Sequence, residues 1–289
     1  MVKSSLTEDR VFNTITVVLL AIVGITAVFP LLFVLSMSVT PYAEVLKNGG
    51  FIVIPRSVTL EGYRQVLSDD HIPRAFLVTV FITVVGTAIN LLLSFLMAYP
   101  LSKKTLPGRS LLLMMVLFTM LFSGGMIPTY LIVKATGILN SVWALIVPSA
   151  ISAFNLLIMK SFVENLPEEL FESARVDGAK EWRILFQLVV PLSVPVMLTV
   201  GLFYAVQHWN TLLSAIMYVN DRSLYPLQVV LREILVGAES LDLVEAGAKI
   251  PSETFKMAAV IISTLPMIIV YPFIQKYFRK GAMLGSVKG

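Results

Sequence analysis

The distribution of charged residues is the feature that most constrains the fold of this chain. Six stretches contain no Asp, Glu, Lys or Arg, and each can hold the roughly 20 residues that a helix needs to cross a bilayer. They cover residues 11–43, 75–102, 110–133, 135–159, 184–220 and 257–275. Charged residues make up only 14% of the chain, against roughly a quarter in soluble domains. The sequence therefore predicts an all-α membrane protein, because lipid-exposed strand edges would leave backbone groups without hydrogen bonds.

Six transmembrane helices are predicted within these stretches. Their approximate limits are 13–37, 75–100, 110–133, 139–161, 187–210 and 257–277. Several prolines lie in or beside these spans, and because proline removes a helix hydrogen bond, we expect bent helices. These prolines are Pro30, Pro100, Pro128, Pro148, Pro195, Pro266 and Pro272.

The short loops between the spans predict the orientation. Lys103, Lys104 and Arg109 lie in one short loop, whereas the single Lys134 lies in a loop on the opposite side. Basic residues in short loops favour the cytoplasmic face. We therefore expect both termini, and the charged segment between the fourth and fifth spans, to be cytoplasmic.

That charged segment covers residues 164–186 and predicts a bent pair of short helices. Asn165 followed three residues later by Glu168 is typical of a capped helix start, with Pro167 suited to the first turn. Asp177 and Gly178 are expected to end the first helix, with Gly178 in the left-handed conformation and Asp177 capping the second helix. Apolar residues at helical spacing predict the buried faces. They are Leu166, Leu170, Phe171 and Ala174 in the first helix, and Trp182, Leu185, Phe186 and Val189 in the second.

The same segment carries a recognisable spacing. Glu172, Ala174 and Gly178 are followed, after nine residues, by Leu188, Val190 and Pro191. This pattern resembles the EAA motif of the membrane subunits of bacterial ATP-binding-cassette importers, with Ser173, Leu188 and Val190 as mild departures. The chain is similar in particular to the sugar branch, the maltose-type and lipoprotein-associated polysaccharide permeases. Further matches are 123–130, 140–145, 208–210, 225–228 and 285–289, the last of which lies outside the residues that the structure describes.

The resemblance implies a fold and a set of partners. We expect a single type I importer transmembrane domain over 1–289, in which 164–186 is a cytoplasmic coupling segment that docks on an ATPase. The partners would be a second permease of different sequence, two ATPase subunits and an extracytoplasmic sugar-binding protein. The ATPases would bind ATP and Mg²⁺, since this chain lacks a phosphate-binding loop motif. The residues assigned to coupling are Glu172, Ser173, Ala174, Asp177, Gly178 and Pro191.

Polar and aromatic residues within the spans are candidates for contacting an oligosaccharide or polysaccharide fragment. Sugars bind hydrogen-bonding groups beside flat aromatic rings, but the same residue types also bond helices to each other or anchor them at the interface. Both roles stay open. The candidates are Asn90, Asn155, Tyr204, Gln207, His208, Trp209 and Asn210.

Other classes of protein fit less well. An ion-coupled secondary transporter is the main alternative, although that class usually has ionisable residues within its spans, and here only His208 could titrate there. A scaffold or receptor without cargo is a second alternative, and the charged segment could be an ordinary surface helix. No nucleophile and base arrangement suggests an enzyme. The chain has no cysteine, no metal site is predicted, and its net charge of +4 reflects orientation rather than nucleic-acid binding.

Overall fold

The structure is a computed structural model that describes residues 3–237 and 252–284, with side chains over 10–236, 252–270 and at 272. The described residues form helices joined by short connections, and no strand occurs among them. The first helices are α1 (Lys3–Ser38), α2 (Tyr42–Lys47), α3 (Glu61–Ser68), α4 (His71–Ser102), α5 (Arg109–Leu121), α6 (Met126–Ala135), α7 (Trp143–Ile146) and α8 (Ala153–Glu164). They are followed by α9 (Glu168–Val176), α10 (Glu181–Ile184), α11 (Val190–Leu192), α12 (Val194–Trp209), α13 (Leu213–Tyr218), α14 (Leu227–Gly237) and α15 (Glu253–Leu284). The predicted all-α fold is confirmed.

Six segments are long and apolar enough to cross a membrane if each bent pair counts as one. Three are single helices, Arg10–Ser38, His71–Ser102 and Glu253–Val270. Three are bent pairs, Arg109–Leu121 with Met126–Ala135 at 116°, Trp143–Ser149 with Ala153–Glu164 at 53°, and Glu181–Leu192 with Val194–Trp209 at 77°. The six spans predicted from the sequence overlap these segments, and as membrane crossings they stay predictions.

Glycine and proline occur at the bends. The bend between α5 and α6 contains Gly124 and Gly125, and Gly125 has a φ of +85° that favours glycine. A 3₁₀ turn with Pro148 precedes α8, and Pro195 lies in the first turn of α12. Pro30 and Pro100, by contrast, lie inside helices that continue past them.

The chain divides into two compact units. The first contains Met1–Asp70 and Leu231–Thr264. Its apolar core is formed by the buried residues Met37, Val45 and Ile52. The hydroxyl of Thr254 donates to the carbonyl of Thr40 at 2.8 Å, so α15 is bonded to the connection after α1.

The second unit contains His71–Val230 and Leu265–Gly289. Helix α4 is its central element and packs against α8 and α12. One apolar cluster joins these three helices to α9 and α10, with Phe95, Leu156, Phe171, Ile184 and Val200 among its buried members. The elements that carry the candidate site therefore share one core.

Candidate functional site

The first helix of segment 164–186 begins later than the sequence predicted. Its N-cap is Pro167 and its first residue is Glu168, so the capping pair of Asn165 and Glu168 is wrong. Asn165 instead ends α8, where its side-chain amide donates to the carbonyl of Ser161 at 2.7 Å. Asn165 was assigned to the wrong helix because its short polar side chain serves either end of a helix.

The turn between the two short helices is formed around Gly178. This residue has a φ of +75°, as predicted, and only glycine adopts that region readily. The backbone N–H of Asp177 donates to the carbonyl of Ser173, which places Asp177 at the end of α9. The N-cap of α10 is Lys180, so the prediction that Asp177 caps the second helix is wrong.

Helix α9 has one buried and one exposed face. Phe171 is buried in the core of the second unit, and Ala174 is half-buried against it. Glu172 and Ser173 lie on the exposed face together with Val176, which is 87% exposed. The predicted apolar face of this helix is therefore present, and the residues beside it are accessible to a partner.

The apolar face of the second helix differs from the predicted one. Leu185 and Val189 are buried, but Trp182 and Phe186 are exposed and their rings stack at 6.0 Å. The helix is interrupted by a π-helical turn over Leu185–Val189, which rotates the side chains away from a regular helical spacing. Pro191 follows in α11 and is exposed.

Side chains fasten this pair of helices to the end of α4. The hydroxyl of Tyr99 donates to Oε2 of Glu181 at 2.5 Å, and Oε1 of Glu181 accepts from Arg175 at 3.3 Å. The ammonium of Lys103 lies 3.2 Å from the ring centroid of Phe171, within the range of a cation–π contact. Burial lowers the pKa of Lys103, and the nearby Arg175 acts in the same direction.

A second charged cluster lies beside the same end of α4. The guanidinium of Arg109 and the ammonium of Lys160 both bind the carboxylate of Glu164. Arg109 also donates to the carbonyl of Leu101 at 2.9 Å. Because Leu101 belongs to α4, Arg109 to α5 and Glu164 to α8, three helices are held together at this end of the unit.

Several predicted cargo residues are buried in a hydrogen-bonded network between spans. The side-chain amide of Asn90 donates to the carbonyl of Ser149 at 3.1 Å and lies 3.1 Å from Nε2 of His208. The hydroxyl of Tyr204 accepts from the backbone N–H of Ser152 at 3.0 Å and lies 2.7 Å from the hydroxyl of Ser94. We call these six residues the polar network.

The polar network satisfies backbone groups at a bend. Ser149 and Ser152 flank the break between the 3₁₀ turn and α8, where regular helix hydrogen bonds are interrupted. Asn90 and Tyr204 supply the missing partners from α4 and α12. His208 fits beside α4 because residue 86 is glycine, and a Cβ at that position would lie only 2.6 Å from the imidazole.

The remaining cargo candidates lie around this network. Gln207 and Asn210 are exposed, and together with His208 they line a cavity of about 540 Å³ between α7, α12 and α13. Trp209 is buried with its ring edge-on to Phe76 at 5.9 Å, and Asn155 is buried near the start of α8. The structure thus brings Gln207, His208 and Asn210 to one cavity.

Comparison with protein families decides what kind of chain this is. The family described as "Binding-protein-dependent transport system inner membrane component" matches residues 72–283, which is most of the sequence. The chain belongs to this family. Its members are components of transport systems rather than enzymes. This confirms the prediction that the chain is not an enzyme, and it confirms the resemblance to importer permeases. The chain is accordingly a membrane-embedded, multi-pass permease subunit.

Individual relatives cover nearly the whole permease. It is 47% identical over 286 residues to the polygalacturonan/rhamnogalacturonan transport system permease protein YtcP of Bacillus subtilis, covering 98% of this chain and 100% of that protein. It is 46% identical to the protein LplC of the same organism, and the match covers 97% of this chain and 96% of that protein. The permease also resembles a chain in the crystal structure of a bacterial ABC transporter involved in the import of the acidic polysaccharide alginate. The two chains have a TM-score of 0.86 and 32% sequence identity, and the match covers 94% of this chain and 98% of that chain.

The permease also contains residues that sequence reasoning missed. Tyr99 and Ser94 make bonds that hold the site together, yet neither was singled out. Their positions carried a signal, because Asn90 and Ser94 are one turn apart on α4 and share a face. Val176 carried no signal of its own, since exposed apolar residues are common on protein surfaces.

Proposed function

We propose that this permease carries oligosaccharides or polysaccharide fragments into the cytoplasm as part of an ATP-driven importer. The names of its relatives support the cargo class, because they specify polygalacturonan or rhamnogalacturonan in one case and alginate in another. The cavity lined by Gln207, His208 and Asn210 offers the hydrogen-bonding groups that sugar hydroxyls require. Asn90, Asn155, Tyr204 and Trp209 are buried, so we assign them to shaping the pathway rather than to its surface.

The observation that carries the proposal is the two-faced structure of α9. Phe171 anchors the helix in the core, while Glu172, Ser173 and Val176 remain exposed beside the turn at Gly178. We infer that this exposed face docks on an ATPase subunit, with the Glu172 carboxylate accepting from a basic side chain of that partner. An anchored helix with one accessible face suits a segment that transmits a conformational change of the ATPase to the transmembrane helices.

The proposed assembly contains a second permease of different sequence, two ATPase subunits and an extracytoplasmic sugar-binding protein. The long apolar helix Arg10–Ser38 supports a further membrane partner or lipid contact, because its most apolar window is not buried within this chain. ATP and Mg²⁺ would be bound by the ATPase subunits. Docking and release of the coupling segment would then favour different states of the bundle.

The orientation follows from the same assignment. The basic residues Lys103, Arg109 and Lys160 lie with the coupling segment at one end of the second unit. We propose that this end faces the cytoplasm, together with both termini, in the bacterial cell membrane. This agrees with the preference of basic residues for that side.

Charge reversal at Glu172 tests the docking. Because Glu172 is exposed, Glu172→Arg should leave the thermal stability of the purified permease unchanged but place a like charge against the basic partner site. The measurement is the amount of ATPase subunit that copurifies with the tagged permease, and we expect a loss of roughly tenfold or more.

The matched control is Glu61→Arg, a charge reversal at an exposed position of α3. It should retain the ATPase subunits fully. Equal retention in both variants would refute the assignment of the coupling segment.

Single cysteines test the orientation, and the natural absence of cysteine makes them specific. Residues 54 and 176 are 82% and 87% exposed, so Ile54→Cys and Val176→Cys should both be reactive in detergent. In intact cells a membrane-impermeant maleimide should label only the cysteine at residue 54. Labelling of the cysteine at residue 176 from outside would reverse the proposed topology.

A panel of glycans tests the cargo. The purified importer with its associated sugar-binding protein would be titrated with oligogalacturonides, alginate oligosaccharides and maltodextrins. Binding of any of these supports the cargo class, and we expect the uronate-containing glycans to bind best. Failure of all glycans, with binding of a peptide or amino acid instead, would refute it.

A further inference from the structure

Side-chain contacts connect the coupling segment to the C-terminal end of α4. Glu181 bridges both arms of the segment, because it begins α10 and binds Arg175 of α9. Its other carboxylate oxygen accepts the hydroxyl of Tyr99 at 2.5 Å. The same end of α4 is followed by Lys103, whose ammonium lies over the ring of Phe171.

These contacts differ in strength. The ion pair of Arg175 and Glu181 is exposed, so solvent screens it and it contributes little alone. The Tyr99 bond is part-buried and has an ionised acceptor, which makes it one of the stronger kinds of hydrogen bond. Tyr99 therefore makes the strongest polar contact between the segment and α4, beside the apolar cluster that holds Phe171 and Ile184.

The polar network includes two residues that lie nearer the start of α4. Asn90 and Ser94 lie on the same helix as Tyr99, nine and five residues before it. At a rise of about 1.5 Å per residue, they are roughly 14 and 8 Å from Tyr99 along the axis. They bind His208 and Tyr204 of α12 and the bend before α8. One continuous helix thus joins the coupling segment to the helices around the cavity.

We propose that Tyr99 and Glu181 form a latch that makes α4 move together with the coupling segment. Tyr99 is a positioning residue in this scheme, since it touches neither nucleotide nor cargo. The proposal rests on the proposed docking of the coupling segment on an ATPase. When the latch is closed, displacement of the segment carries α4, and with it Asn90 and Ser94. When the latch is broken, only the apolar cluster and Lys103 hold the segment to α4, so states in which the segment shifts without α4 become more populated.

Distances between two spin labels test the latch without requiring a known cargo. The labels would be placed by Phe186→Cys on the segment and Leu92→Cys on α4, positions that are 50% and 52% exposed. The sample is the full importer purified with its associated proteins, with ADP or with ATP and vanadate. In the parent complex we expect one distance, the same in both nucleotide states.

Tyr99→Phe removes only the hydroxyl and should open the latch. Loss of a hydrogen bond to a charged group is expected to raise the detached population about tenfold, giving a second, nucleotide-dependent distance. Glu181→Ala should have the same effect, and the double variant should be no worse than Glu181→Ala alone, because the two residues act through one bond. Glu181→Gln keeps an acceptor for Tyr99 and should be intermediate.

The matched control is Tyr63→Phe, which removes a hydroxyl that lies 2.7 Å from Ser38 in the first unit. It should leave both distances as in the parent complex. Tyr99→Phe is expected to keep its ATPase subunits, which separates failure of the latch from failure of docking. An unchanged distance distribution in Tyr99→Phe, with ATPases retained, would overturn the latch and leave the docking intact.

Discussion

The polar network and the proposed coupling segment place their polar side chains in opposite environments. In the network, Asn90, Tyr204 and His208 are buried and bonded within the chain. In the coupling segment, Glu172 and Ser173 are exposed. The first arrangement satisfies backbone and side-chain groups that lipid could not satisfy. The second leaves groups accessible to another protein. Polar residues in this permease therefore satisfy buried groups in one region and stay accessible in the other, where we propose that they recognise an ATPase.

The comparison separates two measurable quantities. Substitutions in the network should lower thermal stability, because they leave buried groups without partners or without space. Substitutions on the exposed face of α9 should lower ATPase binding while stability is kept. A variant that breaks this separation would show that the two regions are not distinct in role.

The largest expected loss of stability is at Gly86. Any side chain there meets the imidazole of His208, with a Cβ position only 2.6 Å away. Gly86→Leu should destabilise the permease by about 3 kcal/mol, since overpacking forces helices apart. The measurement is thermal unfolding of the detergent-solubilised protein. Gly24→Leu is the control, because no atom lies within 4 Å of the corresponding Cβ in α1. Equal melting temperatures for the two variants would contradict the close packing at His208.

A smaller loss is expected at Tyr204. Tyr204→Phe keeps the ring but leaves the N–H of Ser152 and the hydroxyl of Ser94 without their partner. Each buried group left unsatisfied costs on the order of 1 kcal/mol, so we expect about 2 kcal/mol in total. Tyr130→Phe is the control, since it keeps the ring stacked on Tyr218. If both variants had the same melting temperature as the parent protein, the hydrogen bonds of Tyr204 would not contribute to stability.

The turn of the coupling segment should be more tolerant. Gly178 has a φ of +75°, and Gly178→Ala would place a Cβ in the left-handed region at a cost of about 1 kcal/mol. No neighbouring atom lies within 4 Å, so the cost is backbone strain alone. Gly178→Asn should be milder, because asparagine tolerates this region better than alanine. Melting curves of the three proteins in parallel give the order, and alanine milder than asparagine would rule out strain as the cause.

These differences also show what the sequence could predict. Charge-free stretches identified the six long apolar segments, because the requirement for about 20 apolar residues leaves few alternatives. The bends were only partly anticipated. Prolines suggested them, yet Pro30 and Pro100 lie within continuous helices, whereas the 116° bend contains Gly124 and Gly125. A helix bends where neighbouring helices supply hydrogen-bond partners for the interrupted backbone groups. Those partners depend on tertiary packing, which the local sequence does not report.

The candidate site was predictable to a similar degree. The motif spacing predicted where the proposed coupling segment lies, but not which side chains it exposes, because the π-helical turn shifts the exposed face of the second helix. The bond between Asn90 and His208 joins residues 118 positions apart, and no local pattern reports such a pairing. Residue type indicated that both were unusual in a span. Only the packing of α4 on α12 shows that they serve each other.

The smallest effect on stability is expected at Val176, where the effect on binding should be clear. Val176 is 87% exposed on the face of α9 that carries Glu172, so Val176→Ser should change the free energy of unfolding by less than about 0.5 kcal/mol. Full burial of a valine side chain on docking would contribute about 1.5 kcal/mol or more. We therefore expect several-fold less copurified ATPase from Val176→Ser. Val58→Ser, at a position 71% exposed before α3, should retain the parent amount. Full ATPase retention by Val176→Ser would confine the docking contact to the polar side chains of α9, whereas a drop in melting temperature would show that this face belongs to the folded core.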